Sequence, residues 1–249
     1  MLKISGKEVN ANICRIVAAI FVSILLIFTL LLTSIEWVAF DIDFYEAQYD
    51  LLERPQAIGI SKEDLLWVTS GLLDYMSGRR EALDIRSVIQ GEERYVFNER
   101  EIAHMVDVRN LFAKTHLSRN VSLISVILII ASLVAVFGGK IFLTLAKSYL
   151  AISIASLLVL GSLVLFAIFD FTLFWDLFHR ISFDNYLWLL DPRTDILIQM
   201  VPEQFFYNTV MAIIVRFVIG ILLFAALSVY CIIAAKRGKN HTLANRAIK

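Results

Sequence analysis

The sequence predicts an all-α integral membrane protein: a four-transmembrane-helix bundle with a small helical extracytoplasmic domain and an interfacial aromatic loop. Three observations predict it. Of 249 residues, 59% are hydrophobic and 18% are charged, against about 45–50% and about 25% in soluble domains. Segments 13–38, 121–137, 149–174 and 207–235 are apolar, and a helix of about 20 such residues crosses a hydrocarbon core of about 30 Å. The polar residues collect in two stretches between these segments. A balance of 23 Lys+Arg against 23 Asp+Glu excludes a basic nucleic-acid binder and an acidic disordered tail. Two cysteines build neither a disulfide framework nor a Cys-based zinc site.

The chain divides into 1–38, a cytoplasmic N-terminus and first span; 39–119, the extracytoplasmic domain; 120–174, two spans with a short cytoplasmic turn; 175–206, the interfacial segment; and 207–249, the fourth span and cytoplasmic tail. The first apolar run is too long for a signal-peptide h-region of about 7–15 residues, and no small-x-small cleavage site follows it. Charge orients the bundle. With both termini inside, the inner segments carry Lys3, Lys7, Arg15, Lys140, Lys147, Lys236, Arg237, Lys239, Arg246 and Lys249 against Glu8 alone. The two outer segments hold 12 bases and 20 acids. Lysine and arginine in short loops carry the weight of this rule, so the Gly138–Gly139–Lys140 turn counts more than the long loop.

Within 39–119, Ser61 caps a helix carrying Leu65, Leu66, Val68, Leu72 and Leu73; Gly71 is expected to weaken it and Gly78 to end it. Gly91 with Glu92 and Glu93 reads as a turn, and Tyr95, Val96 and Phe97 as a short extended piece. Asn98 with Glu101 three residues on is a variant capping box. It opens a helix through EREIAHMVDVRNLFAKTH, on which Glu101, His104 and Asp107 share one broad face. Segment 175–206 is dense in Trp, Phe and Tyr, residues of a membrane–water interface. Pro192 and Pro202 forbid one continuous helix there, so short helices are expected.

Glu36, Asp170 and Arg216 fall within or at the ends of spans, where ionisable groups are costly and are functional candidates. Arg216 pairs with Asp170 or Glu36, or it binds a lipid phosphate or carbonyl. His241 lies in the tail. His116, beside Lys114 and Arg119, reads as solvated or interfacial. His104 precedes the second span and His179 follows the third, which puts both at the outer surface. Two readings stay open for them: an acid–base pair titrating near neutrality, or two unrelated interfacial side chains. Glu101 and Asp107 would orient His104, and Asp176 and Asp184 would orient His179; Glu101 equally completes a cap. Cys14 and Cys231 sit at the inner ends of spans, away from the histidines. No serine among Ser118, Ser122, Ser125 and Ser182 has a nucleophile setting such as GxSxG.

The stretches FNEREIAHMVDVRNLF (97–112) and FWDLFHRISFDNYLWLLDPRTDILIQMVPEQFF (174–206) resemble motifs of the lipoprotein intramolecular transacylases, four-span membrane proteins of Gram-positive bacteria. The resemblance implies an acyltransferase that moves the sn-2 acyl chain of a diacylglyceryl lipoprotein to the α-amino group of its N-terminal cysteine, giving a lyso-form lipoprotein. It implies His104 and His179 as the catalytic histidines. Asn185, a loop N–H or Arg216 would stabilise the oxyanion, with His104 the first choice as base. The expected partners are the diacyl lipoprotein and membrane lipid, with no nucleic acid, metal or cofactor. The alternatives are a histidine-ligated metal or haem protein and a non-enzymatic sensor or assembly module. Against the former, the Glu-x-x-His spacing of Glu101 and His104 is not repeated around His179.

Overall fold

The computed structural model describes the backbone of residues 6–247 and the side chains of residues 12–238. Lys3, Lys7, Glu8, Lys239, His241, Arg246 and Lys249, on which part of the orientation argument rests, lie outside the described side chains. The helices are α1 (Gly6–Ala39), α2 (Ile42–Leu51), α3 (Arg54–Ile58), α4 (Lys62–Met76), α5 (Glu99–Phe137), α6 (Ile141–Phe169), α7 (Phe171–Ser182), α8 (Ile196–Met200) and α9 (Glu203–Ala247). A short hairpin of β1 (Arg86–Ile89) and β2 (Glu92–Tyr95) interrupts them. Three helical stretches are long and apolar enough to cross a membrane: Asn12–Ala39, Glu99–Phe169 and Glu203–Gly238. The second contains both α5 and α6, divided at Gly138, whose φ of 62° lies in the left-handed region that favours glycine.

The chain forms two compact units. The first comprises residues 1–33, 119–164 and 215–249. Val22, Val126, Leu133 and Ile141 make one buried cluster here; Ile27, Tyr149, Phe217 and Ile221 make another. Large side chains such as Phe21, Leu128, Leu158 and Leu223 are exposed. That surface suits hydrocarbon and would be costly in water. Several hydroxyl groups are satisfied within their own helices: Ser23 donates to the carbonyl of Ala19 and Thr29 to that of Leu25, both at 2.8 Å; Ser122 and Tyr149 donate instead to the carbonyls of Leu25 and Ile221 on neighbouring helices. Such bonding removes the cost of a polar group in an apolar setting. Gly220 packs where an added Cβ would lie 3.4 Å from Leu30, the close helix approach that small residues permit.

The second unit comprises residues 34–118 and 165–214. Its core is continuous, with Tyr49, Ile58, Leu65, Val68 and Met200 fully buried and Phe205 ringed by Phe44, Tyr45 and Tyr49. Ser61 accepts from the Asp64 N–H at 3.0 Å and starts α4 as expected. Gly71 does more than weaken that helix. An added Cβ there would stand 2.6 Å from Ile85 Cδ1, so the missing side chain lets the segment before β1 lie against α4. The hairpin pairs Arg86 with Tyr95 and Ile89 with Glu92. Gln90 and Gly91 both have positive φ, the two-residue turn whose twist matches paired strands. The expected turn at Gly91 is therefore present, but the extended chain runs before and after it and ends at Tyr95.

A second correction concerns Asp170. It lies between α6 and α7, and its side chain accepts from the Leu173 N–H at 2.9 Å. It therefore caps α7, a role that needs no basic partner. Glu36, buried near the end of α1, has its carboxylate 3.5 Å from Nδ1 of His116, whose side chain is largely exposed. Arg216 is half-buried on α9 and belongs to the first unit. Pro192 and Pro202 break the 175–206 segment as expected, leaving α7, a turned stretch and α8 before α9 begins.

Candidate active site

Helix α5 supplies the first half of the site. Asn98 Oδ1 accepts from the backbone N–H of Arg100 and of Glu101, and Glu101 Oε2 accepts from the Asn98 N–H at 2.7 Å. This is a closed capping box. The other oxygen, Glu101 Oε1, accepts from the Leu197 N–H at 2.6 Å. One carboxylate, 1% exposed, thus serves the first turns of α5 and α8. Burial raises its pKa, opposed by the Asn98 and Leu197 N–H groups. Of the two readings of Glu101, the cap describes both oxygens. Asp195, also buried, joins it by accepting from Asn98 Nδ2 at 2.9 Å.

One turn further along, His104 lies on the buried stripe with Met105 and Val108. Helix α7 presents His179, and both imidazoles are 8% exposed. Their ring centroids stand 6.2 Å apart. The pair is enclosed by aromatic rings. Trp188 stacks on His179 at 4.6 Å, Trp175 meets it edge-on at 4.8 Å, and Phe183 packs on both histidines. Phe206 stacks on Trp175 at 4.3 Å.

The two rings differ in their hydrogen bonds. His179 Nδ1 lies 2.9 Å from the carbonyl of Trp175, one turn back on α7. A carbonyl only accepts, so Nδ1 carries the proton and Nε2 carries the lone pair. His104 Nδ1 is buried with no hydrogen-bond partner among the described residues. Burial lowers the pKa of His104 to about 4, helped by the charge His179 would carry and opposed by Asp107. Burial also lowers that of His179, opposed by the Trp175 carbonyl and by Asp176. Burial thus favours the neutral form of both rings.

Asp107 accepts from Asn185 Nδ2 at 2.8 Å. The Asn185 backbone carbonyl accepts from Trp188 Nε1 at 3.0 Å, and its side-chain oxygen accepts from the Leu187 N–H. Asp107 and Asn185 thus anchor the indole that covers His179, a positioning job joining two residues singled out separately in the sequence. Asp184 is exposed and has no hydrogen bond among the described residues. Arg216 belongs to the other unit and Cys14 and Cys231 likewise. Trp175, Phe183 and Trp188 were not marked as site residues. The four-residue step from Trp175 to His179 was the available signal, because it is the back-bonding distance on a helix. Among the described residues no group of three or more His, Cys, Asp and Glu gathers in a way that would hold a metal ion.

Residues 20–206, well over half of the chain, match the family model described as lipoprotein intramolecular transacylase Lit. Solved structures of the membrane integral lipoprotein intramolecular transacylase Lit from Bacillus cereus are similar in fold. One is 22% identical with a TM-score of 0.73, covering 91% of this chain and 99% of that one. A variant of the same protein with one histidine replaced by arginine is 21% identical with a TM-score of 0.73, covering 94% of this chain and 100% of that one. No curated protein sequence matches the chain.

Proposed function

Because the chain belongs to the lipoprotein intramolecular transacylase family, and is thus a membrane acyltransferase acting on lipoproteins, we propose that His104 and His179 are its acid–base pair. The observation that carries this reading is the juxtaposition of two buried imidazoles, 6.2 Å apart, inside one aromatic enclosure. In the reaction the α-amine of the lipidated cysteine attacks the sn-2 ester carbonyl of its own diacylglyceryl group. A C–N bond forms, the C–O bond breaks, and one proton passes from nitrogen to the departing glycerol oxygen. An α-amine with a pKa of about 7.7–8.0 is partly neutral at pH 7, and a histidine base keeps it so.

The hydrogen bond from His179 Nδ1 to the Trp175 carbonyl supports His179, not His104, as the group that takes the amine proton, through Nε2. His104 takes that proton from His179 Nε2 and gives it to the leaving oxygen, its protonated form made more acidic by burial, so that both rings end as they began. The rings of Trp175, Phe183, Trp188 and Phe206 favour acyl transfer over hydrolysis by limiting water at the acyl carbon. Tethering amine and ester in one molecule replaces a second binding event. The same reading has four membrane passes, α5 and α6 counting as two because the chain turns at Gly138. It has both termini cytoplasmic and the second unit at the outer leaflet, where lipoprotein acyl chains lie. Impermeant thiol labelling of intact cells tests the orientation. A Ser77→Cys variant is expected to label, while native Cys14 does not.

The test of function is mass spectrometry of a model lipoprotein from a host that makes only diacyl lipoproteins. Migration leaves the total mass unchanged, so fragmentation must locate the chain. Wild type is expected to yield an N-acyl cysteine with a single O-acyl chain, and His104→Ala and His179→Ala to leave both chains on glycerol. Full migration with either variant would sink the pair.

A further inference from the structure

The described side chains of the first unit, within residues 12–238, include seven lysines and arginines and not one aspartate or glutamate. Within this unit a cavity of about 580 Å³ is lined by Arg15 from α1, Lys140 from the turn after α5, Phe142 and Thr144 from the start of α6, and Tyr230 and Ala234 from α9. Its volume falls in the range of about 300–1,000 Å³ of small-molecule sites. Arg15 Nε is buried and has no hydrogen-bond partner among the described residues. An arginine nitrogen shut away from water without an acceptor is costly. The cavity walls bring cations, hydroxyls and apolar carbon, and no anion.

We propose that this cavity is a binding site for the phosphodiester of an anionic phospholipid, distinct from the acyl-transfer site. A phosphate offers several acceptor oxygens in the geometry a guanidinium fork matches, and Lys140 adds a second positive charge. Thr144 and Tyr230 supply hydroxyl donors to the same group. Phe142 and Ala234 give the glycerol and the upper acyl chains an apolar wall, continuous with helices whose outward surfaces are already lipid-like. The diacylglyceryl lipoprotein joins its lipid through a thioether and presents no phosphate there, so substrate chemistry does not supply the missing anion. A membrane phospholipid does. Bound lipid would hold three elements of the unit together through one headgroup, stabilising the folded state by mass action.

Native mass spectrometry of the detergent-purified full chain tests the site, with phosphatidylglycerol, phosphatidylcholine and inorganic phosphate as probes. Phosphatidylglycerol is expected to bind tightest. Arg15→Gln combined with Lys140→Gln is expected to weaken it about thirtyfold, as about 1 kcal/mol per basic residue implies. Lys147→Gln combined with Lys236→Gln removes the same charge outside the cavity and is expected to leave that affinity within about twofold. Arg15→Lys, which keeps the charge but loses the guanidinium fork, is expected to weaken binding about threefold to fivefold, and full retention would overturn the proposal. Equal losses in both double variants would overturn the proposal in favour of diffuse charge attraction. Equal binding of phosphatidylcholine would overturn it as well. Inorganic phosphate binding as tightly as phosphatidylglycerol would reassign the cavity to free phosphate. A thermal melt of each variant without added lipid separates lost binding from lost folding, and the Arg15→Lys result decides the case if the double variant unfolds.

Discussion

The two units solve the burial of polar groups in opposite ways. In the first, most hydroxyls bond to carbonyls of their own helices and a few, such as Ser122 and Tyr149, to a carbonyl of a neighbouring helix; large apolar side chains face outward, and no described side chain is acidic. In the second, buried Glu101 and Asp195 accept from backbone and amide N–H groups of distant segments, while buried His104 and His179 are held by aromatic rings and, for His179, by a carbonyl of its own helix. Low dielectric makes an unpaired polar group expensive in either place. A hydrocarbon-facing unit avoids the expense by giving its few hydroxyls a carbonyl on the same or the adjacent helix. The second unit draws on distant segments instead: Asp107 and Asn185 anchor Trp188, and Trp188 stacks on His179.

That contrast can be broken at several points. The largest effect should come from the histidines: His104→Gln or His179→Gln is expected to slow acyl migration about 10²–10⁴-fold, measured as initial rate of N-acyl product, with little change in melting temperature. Next is packing. Phe205→Ala is expected to cost about 3–5 kcal/mol, whereas Leu223→Ala, on the exposed face of α9, should change the melt in detergent very little. Equal losses would erase the distinction between the two kinds of core.

The pH dependence comes third. The pKa of His104 is about 4 in the folded chain and near 6.5 when unfolded. Between these values the unfolded state binds a proton that the folded state does not, so stability is full above about pH 6.5 and falls as pH drops towards 4. The loss is up to about 3 kcal/mol. Melting curves from pH 7 to 4.5 should show it, and His104→Phe should flatten it. A slope unchanged in that variant would place the titrating group elsewhere.

Glu101 comes fourth. Glu101→Ala should cost about 2 kcal/mol by stranding the N–H groups of Asn98 and Leu197, and Glu101→Gln about half that, because an amide oxygen can serve only one of them. Smallest is Ser132→Ala. Its hydroxyl bonds only the Leu128 carbonyl of its own helix, and the change should stay within about 0.5 kcal/mol.

The local parts of this architecture were legible in the sequence. Ser61, Asn98 with Glu101, Pro192 and Pro202 act over three or four residues, and their roles follow from spacing. The hairpin was only half visible. Gly91 marks the turn, but RSVI and EERY are short and half charged, so pairing and not propensity makes them strands. Asp170 misled because its surroundings are apolar, and nothing local distinguishes a cap at a helix break from an acid within a span. The site is non-local in origin. Nothing in the sequence brings His104 to His179, or Asp107 to Asn185, except resemblance to a family. The enclosure by Trp188 depends on a loop whose path is set by hydrogen bonds that no periodicity encodes. The second oxygen of Glu101 was invisible for the same reason, since Leu197 contributes only its backbone.

The hydrogen bond between His179 and the Trp175 carbonyl has a consequence for proton traffic. Because Nδ1 is held by the helix itself, the ring is a carrier with a single port. Any proton it accepts at Nε2 must leave by the same atom, since the Nδ1–H faces a backbone carbonyl, too weak a base to take it. A single-port carrier can load and unload but cannot pass a proton through itself. In the proposed mechanism, delivery to a second position beyond its reach, such as a departing glycerol oxygen, falls to the neighbouring ring of His104.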